Sequence, residues 1–149
     1  MIHSTTIGDT RIVTEAYGKC LPLIRRLLED AGLSIVEEFD ISDAPYFRLG
    51  IGSRHCIVLL VDTPVLLFEA IALDRAAAVF LPIHIVICGN RDTSYVHWAN
   101  PAASSGLRPP TPSKEPLDEL CSRVTQALSR LPPAAEPAGY GQTRQRDAL

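Results

Sequence analysis

Residues 57–88 read IVLLVDTPVLLFEAIALDRAAAVFLPIHIVIC, the most apolar stretch of the chain and the one that decides its fold. Asp62-Thr63-Pro64 and Asp74-Arg75 divide it into three apolar runs. The first run and the third, from Ala76 to Cys88, are rich in Val and Ile, as buried strands are. The middle run is rich in Leu and Ala with a single Glu69, as a buried helix is. The order is therefore strand, helix, strand. Thr63 or Asp62 caps the helix, and Pro64 sits in its first turn, where a missing N–H costs nothing.

Upstream, Met1 to Asp9 is polar, a frayed end or a lead-in to a strand, and Thr10 to Ala16 has the β-branched content of a strand. From Cys20 the spacing turns helical. Cys20, Ile24, Leu27 and Ala31 fall on one side, and Arg25, Arg26, Glu29 and Asp30 on the other. Gly32 stands where a left-handed helix cap is wanted. Leu33 to Ile41 then alternates, with Leu33, Ile35, Phe39 and Ile41 on one face, which predicts a half-buried strand. Ser42 to Pro45 is a turn, Tyr46 to Ile51 a short extended piece, and Gly50 to Ser53 a break before a strand over His55 to Val61. Gly50 and Gly52 lack the third glycine and the strand-to-helix turn of a phosphate loop.

Downstream, the central helix spans Pro64 to Leu73 and a strand follows over Val79 to Cys88. Gly89-Asn90-Arg91-Asp92 turns the chain back into a strand over Thr93 to Ala99. Residues 102–114 form a linker rich in proline and serine. Beyond it Leu117, Leu120, Cys121, Val124, Leu128 and Leu131 make one helical stripe over 115–131. Ser113 is placed to cap that helix, and Glu115, Asp118 and Glu119 favour its N-terminus electrostatically. Pro132-Pro133 stops it, and residues 132–149 hold too little apolar content to order themselves. The whole predicts an α+β two-layer sandwich: a core domain over 1–101 with a mostly antiparallel sheet, helices packed on one face, and the 115–131 helix docked on it.

An apolar content of 46% in 149 residues suits one domain whose core needs neither metal nor disulfide. A net charge of -3 argues against a nucleic-acid binder, which carries a basic stripe. Cys20, Cys56, Cys88 and Cys121 are far apart and form no C-x-x-C motif, and no basic segment followed by an apolar run opens the chain. Reduced thiols in a cytoplasmic protein are therefore expected. A membrane-spanning helix needs about 20 uninterrupted apolar residues. Asp62, Pro64, Glu69, Asp74 and Arg75 interrupt every such window in 57–88, so no membrane association is expected.

The run RIVTEAYGKCLPLIRRLLEDAGLSIVEEFDIS resembles the opening of the bacterial and archaeal domain of unknown function 302. There a strand and a helix lead through a glycine into a strand ending in an acidic residue. The segment VDTPVLLFEAIALDRAAAVFLPIHIVICGNRDTSYVHWANP resembles that family's second half: a strand, a short helix after a proline, a Leu-Pro step, and a hairpin ending in an aromatic-rich strand and Asn-Pro. The resemblance covers Arg11 to Pro101, with the 117–131 helix as an extension. It implies an α+β fold like that of the TATA-box-binding protein, often found as homodimers, and no established activity. Many members have Cys-Asn-Pro where this chain has Val61-Asp62-Thr63-Pro64, and Leu-Pro-Cys where it has Leu81-Pro82-Ile83. Redox or metal chemistry on those family cysteines does not carry over to this chain.

The hairpin holds the best polar cluster. Leu81, Ile83, Ile85 and Ile87 share the core face, and His84, Val86 and Cys88 the opposite one. A four-residue turn pairs Cys88 with Tyr95 and Val86 with His97, which places His84, Cys88 and His97 within one diagonal step, about 5–8 Å, of each other. That set suits a Zn or Cu site of soft and imidazole ligands, with His55 as a further ligand. A three- or five-residue turn destroys it, and the simpler reading is an ordinary exposed or dimer-buried face. His55 next to Cys56 points to the opposite face and is poorly placed to deprotonate the thiol. Cys20 and Cys121 lie on apolar helix stripes, as core residues do. Asp40, Asp62 and Glu69 form a carboxylate group for acid/base work only if the fold brings them together. Asp62 is more simply a cap and Glu69 the wet position of its helix.

These features favour a non-enzymatic small-molecule-binding or protein-interaction domain acting as a homodimer, with no cofactor identified. The competing class is a metal- or thiol-dependent protein using the hairpin cluster. A third is an adaptor that joins a larger assembly through its tail. The central helix lacks a polar outer stripe. It is expected to be buried almost all round, with Leu67, Phe68 and Ile71 at a dimer contact or under the folded-back 117–131 helix.

Overall fold

The computed structural model describes residues 2–4, 8–42, 55–99 and 114–133. Among them six strands form one antiparallel sheet, with β1 (Ile2–Ser4), β2 (Gly8–Val13), β3 (Ser34–Asp40), β4 (His55–Asp62), β5 (Ile83–Gly89) and β6 (Ser94–Ala99) in the order β1-β2-β6-β5-β4-β3. Helix α1 (Tyr17–Asp30) carries the chain from β2 to the far edge of the sheet, and α3 (Lys114–Ser129) lies beside it. Their stripes, Cys20, Ile24, Leu27 and Leu28 on α1 and Leu120, Val124 and Leu128 on α3, close over Ile57, Leu59, Val61, Ile83, Ile85, Ile87, Val96 and Trp98 of the sheet. Each such side chain contributes about 1.5–3 kcal/mol when fully buried, so this single layer holds the fold together. The expected α+β sandwich with helices on one face is what forms.

Local chemistry sets the element ends. Gly32 has φ +73°, which L side chains rarely adopt, and the chain leaves α1 through it. Thr63 is extended, and its Oγ1 accepts from the Leu66 N–H at 3.1 Å, so Thr63, not Asp62, caps α2 (Pro64–Leu73), with Pro64 in the first turn. The hairpin loop has four residues, Asn90 to Thr93, between the paired Gly89 and Ser94. Asn90 Oδ1 accepts from the N–H groups of Asp92 and Thr93, both at 2.9 Å.

Four expectations need correction. The polar N-terminus contributes β1, paired with β2, and β2 itself begins at Gly8. The third apolar run does not become a strand at Val79. Asp74 Oδ1 accepts from the Ala76 N–H at 2.8 Å, and Arg75–Phe80 winds into a 3-10 helix before β5 starts at Ile83. Its three consecutive alanines favour helix, and only Ala77 is buried. The third correction concerns β3, which is not half-buried. It is an edge strand, and its register shifts between Ile35 and Glu37. Leu33 packs in the core, but beyond this bulge Glu38 turns to the helix side, where Arg25 of α1 meets it at 2.8 Å. Phe39, paired with Val58, then faces away from the helices and is 51% exposed.

The fourth correction is α2, which is not buried all round. Leu66 and Ala70 are covered, and α3 folds back against the helix, with Ala70, Ala77 and Leu117 in a small core of their own. Val65 and Phe68 are 66% and 75% exposed, and Ile71 and Leu73 also reach solvent. The linker, the 43–53 segment and the tail lie outside the described residues. Within these residues no helix is long and apolar enough to cross a membrane.

Candidate functional site on the open face of the sheet

One face of the sheet carries the helices, and β-strand alternation sends every second side chain to the other. Register fixes the rows on that open face. Thr10, His97, Val86, Val58 and Phe39 lie side by side across five strands. The neighbouring row is Ile12, Tyr95, Cys88 and Cys56, and on the other side His84 pairs with Leu60. The loop is four residues long but is Asn90 to Thr93, one residue on from the expected Gly89 to Asp92, and the two pairings that a four-residue turn implied, Cys88 with Tyr95 and Val86 with His97, are present.

A trough of about 420 Å³ opens beside the two histidines, lined by Thr10, His84, Val86, His97 and Ala99 together with Gly8. Its walls are largely apolar, and His84 and His97 supply its imidazoles. A hydrogen bond of 2.9 Å joins Thr10 Oγ1 and His97 Nδ1, which fixes the ring and leaves Nε2 as the nitrogen a ligand can use. Gly8 has a structural reason to lack a side chain, because a Cβ there would collide with the Trp98 carbonyl oxygen. Thr10 and Gly8 have no signal of their own in the sequence. Only the β2–β6 register, which joins segments 87 residues apart, reveals them.

The predicted His/Cys cluster does not converge. His97 is one diagonal step from His84 and from Cys88, but those two are four residues apart on one strand, about 13 Å at 3.3–3.4 Å per residue. Cys88 is also bonded to Cys56 in a disulfide across β4 and β5, so it offers no thiolate. The expectation of reduced thiols fails for this pair. No local signal in the sequence announced the bridge: α2 and the 3-10 helix separate β4 from β5, and only the register of the two strands sets Cys56 opposite Cys88. Among the described residues no group of three or more His, Cys, Asp or Glu side chains is arranged to hold a metal.

His55 lies on the helix side, its ring stacked on Tyr17 at 5.2 Å between centroids. Burial, chiefly, raises the Tyr17 hydroxyl pKa, with Asp40 adding to it. Asp40, held by its hydrogen bonds from Ser42, has its pKa lowered. The three carboxylates do not form a group. Asp40 pairs with Ile57 at one end of β4, about 17 Å from Asp62 at the other, and Glu69 is exposed on α2. Asp62 is buried, and that burial raises its pKa. Cys20 and Cys121 are core residues, as expected, and burial raises the Cys20 thiol pKa. The dimer candidates divide. Phe68 and Ile71 are exposed, and Leu67 is half-buried.

A family profile described as "Domain of unknown function DUF302" matches residues 10–131. The match reaches past Pro101 and takes in all of α3, so the C-terminal helix is part of the family's domain. The crystal structure of an uncharacterized conserved protein DUF302 from Bacillus stearothermophilus superposes with a TM-score of 0.74 at 16% identity, over 86% of this chain and 100% of that one. No curated protein matches.

Proposed function

This chain belongs to the DUF302 family, and we propose that it is a non-enzymatic binding module that acts as a homodimer. The observation that carries the reading is the open face: a sheet whose other side is filled by α1 and α3 presents an apolar trough of about 420 Å³ with two imidazoles at its rim. Concave, mostly apolar sites with a few convergent polar groups are where small molecules bind. The ligand class that fits is a small molecule with an apolar body and one carboxylate or hydroxyl for His97 and His84. The test is a backbone amide NMR titration with aliphatic and aromatic carboxylic acids. Shifts confined to Thr10, Val86, His97 and Ala99, lost in His97→Ala, support it. Shifts scattered over the surface, or none from any acid, would defeat it.

The homodimer rests on a different surface. Val65, Phe68 and Val79 leave an apolar stripe on and beside α2 that a second subunit would cover.

A second reading uses the same imidazoles as a pair of nitrogen ligands for Zn or Cu, with solvent or a bound molecule completing the shell. One diagonal step between His84 and His97 favours it. Metal analysis of untagged protein separates the two. Stoichiometric metal that disappears in His97→Ala supports the second reading, and protein that takes up neither Zn nor Cu excludes it.

A further inference from the structure

We propose that Cys56–Cys88 is a reversible thiol-exchange site on the open face, distinct from the trough, reacting with thiols such as glutathione or a protein dithiol. Three observations point to it. First, the cysteines are directly opposite residues of the paired β4 and β5, with Cα atoms 4.1 Å apart, inside a ladder that runs from His55–Gly89 to Val61–Ile83. The backbone pairing on both sides holds the strands without the sulfur bridge. Reduction therefore leaves two thiols facing each other in a folded sheet, poised to close again.

Second, the bridge lies on the side of the sheet away from α1 and α3. Both residues are half-buried among Tyr95, Val58 and Val86, and among the described residues no helix lies over them. Cys20 and Cys121, by contrast, are 1% and 7% exposed beneath the helices, where no thiol can reach them. Access decides which cysteines exchange. Third, Cys56 is held from its other flank as well. Its N–H donates to Ser42 Oγ at 2.7 Å, and its carbonyl accepts from the Ile41 N–H at 2.9 Å. Breaking the disulfide thus gives no freedom to the backbone that carries it.

The reaction balances without any other co-reactant. A thiolate RS⁻ attacks one sulfur, an RS–S bond forms, and the other cysteine leaves as a thiolate that takes a proton from solvent. A second RSH then displaces the first cysteine. The protein gains two electrons and two protons as two thiols, and two RSH become RSSR. Excess RSSR runs the sequence backwards.

The experiment equilibrates the folded full chain in buffers of varying reduced-to-oxidised glutathione ratio, and in parallel with a thioredoxin-class dithiol protein, then alkylates and maps thiols by mass spectrometry. Near-UV circular dichroism follows the fold. The expected result is a reversible two-electron titration of Cys56 and Cys88 with the native spectrum kept and with Cys20 and Cys121 unlabelled. Reduction by glutathione identifies a small-molecule couple; reduction by the dithiol protein alone identifies a protein partner. In Cys56→Ser and Cys88→Ser, the remaining partner should form a mixed disulfide with oxidised glutathione while the protein stays folded. A bridge that opens only when denaturant unfolds the chain, or single variants that fold and take up no glutathione, would overturn the proposal.

Discussion

The guanidinium of Arg11 on β2 donates through Nη2 to the carbonyl oxygen of Leu131, just past the end of α3. Arg11 is buried on the helix face of its strand, between Asp9 and Val13. The contact therefore ties the C-terminal helix to a strand 120 residues earlier. A cation at a helix C-terminus also meets the negative end of the helix dipole.

Arg11→Ala is expected to lower stability by about 2–3 kcal/mol, because it removes a charged hydrogen bond and leaves a carbonyl unpaired beneath the helix end. Arg11→Lys keeps the charge but not the reach of the planar fork, and should lose less. Chemical denaturation measures both. A change within about 0.5 kcal/mol for Arg11→Ala, the size of an ordinary surface effect, would show that α3 is held by its apolar stripe alone.

Truncation tests the same boundary from the other side. A chain ended after Pro133 should melt with the full chain, since the sequence beyond has no apolar stripe to dock and the family match stops at 131. A chain ended after Ser129 loses Leu131, 1% exposed, and with it Arg11's acceptor. Burial of that leucine alone is worth about 1.5–3 kcal/mol, so this shorter chain should be clearly less stable. Equal melting of all three chains would defeat the prediction.

Asp62 makes stability depend on pH. Burial raises its folded pKa above the unfolded value, so the folded state holds the proton more tightly. That contribution is complete below the unfolded pKa and is lost as pH rises through the folded pKa, after which the buried carboxylate is a net cost. Asp62→Asn, which cannot ionise, should therefore be more stable than wild type at pH 7 and indistinguishable from it near pH 3. Denaturation at both pH values checks the sign. An Asn variant less stable at pH 7 would mean the carboxylate is favoured at the start of α2, where the helix dipole attracts it.

Much of the sheet was legible because β4 is an unbroken apolar run and β5 has Ile83, Ile85 and Ile87 inward and His84, Val86 and Cys88 outward. Thr63 and Pro64 announced α2 for the same local reason. The failures were failures of context. Phe39 and Leu33 fit one alternating pattern, but the bulge between Ile35 and Glu37 sends them to opposite faces, and no residue type marks it. Ala76 to Phe80 has the apolar content of a strand, yet its alanines wind into a 3-10 turn once Asp74 caps them. In the candidate site, the hairpin itself was readable from its turn residues, but its partners followed only once the loop length was known. The β2 residues Thr10 and Gly8 were not, because a pairing between segments 87 residues apart leaves no local trace.

The apolar stripe of α2 yields the sharpest test of the dimer. Leu66 is 8% exposed and faces the core, whereas Phe68, two residues on, is 75% exposed. Leu66→Glu buries an unpaired charge and should unfold the domain, at a cost of several kcal/mol. Phe68→Glu places the same charge in water and should change stability by no more than about 0.5 kcal/mol. A charge at the centre of a two-fold contact would meet its own copy, so Phe68→Glu should also split a dimer into folded monomers. Sedimentation velocity on both proteins decides the matter. A wild-type chain that stays monomeric at the highest attainable concentration would remove the dimer from the proposal, and α3 would be left as the helix's only cover among the described residues.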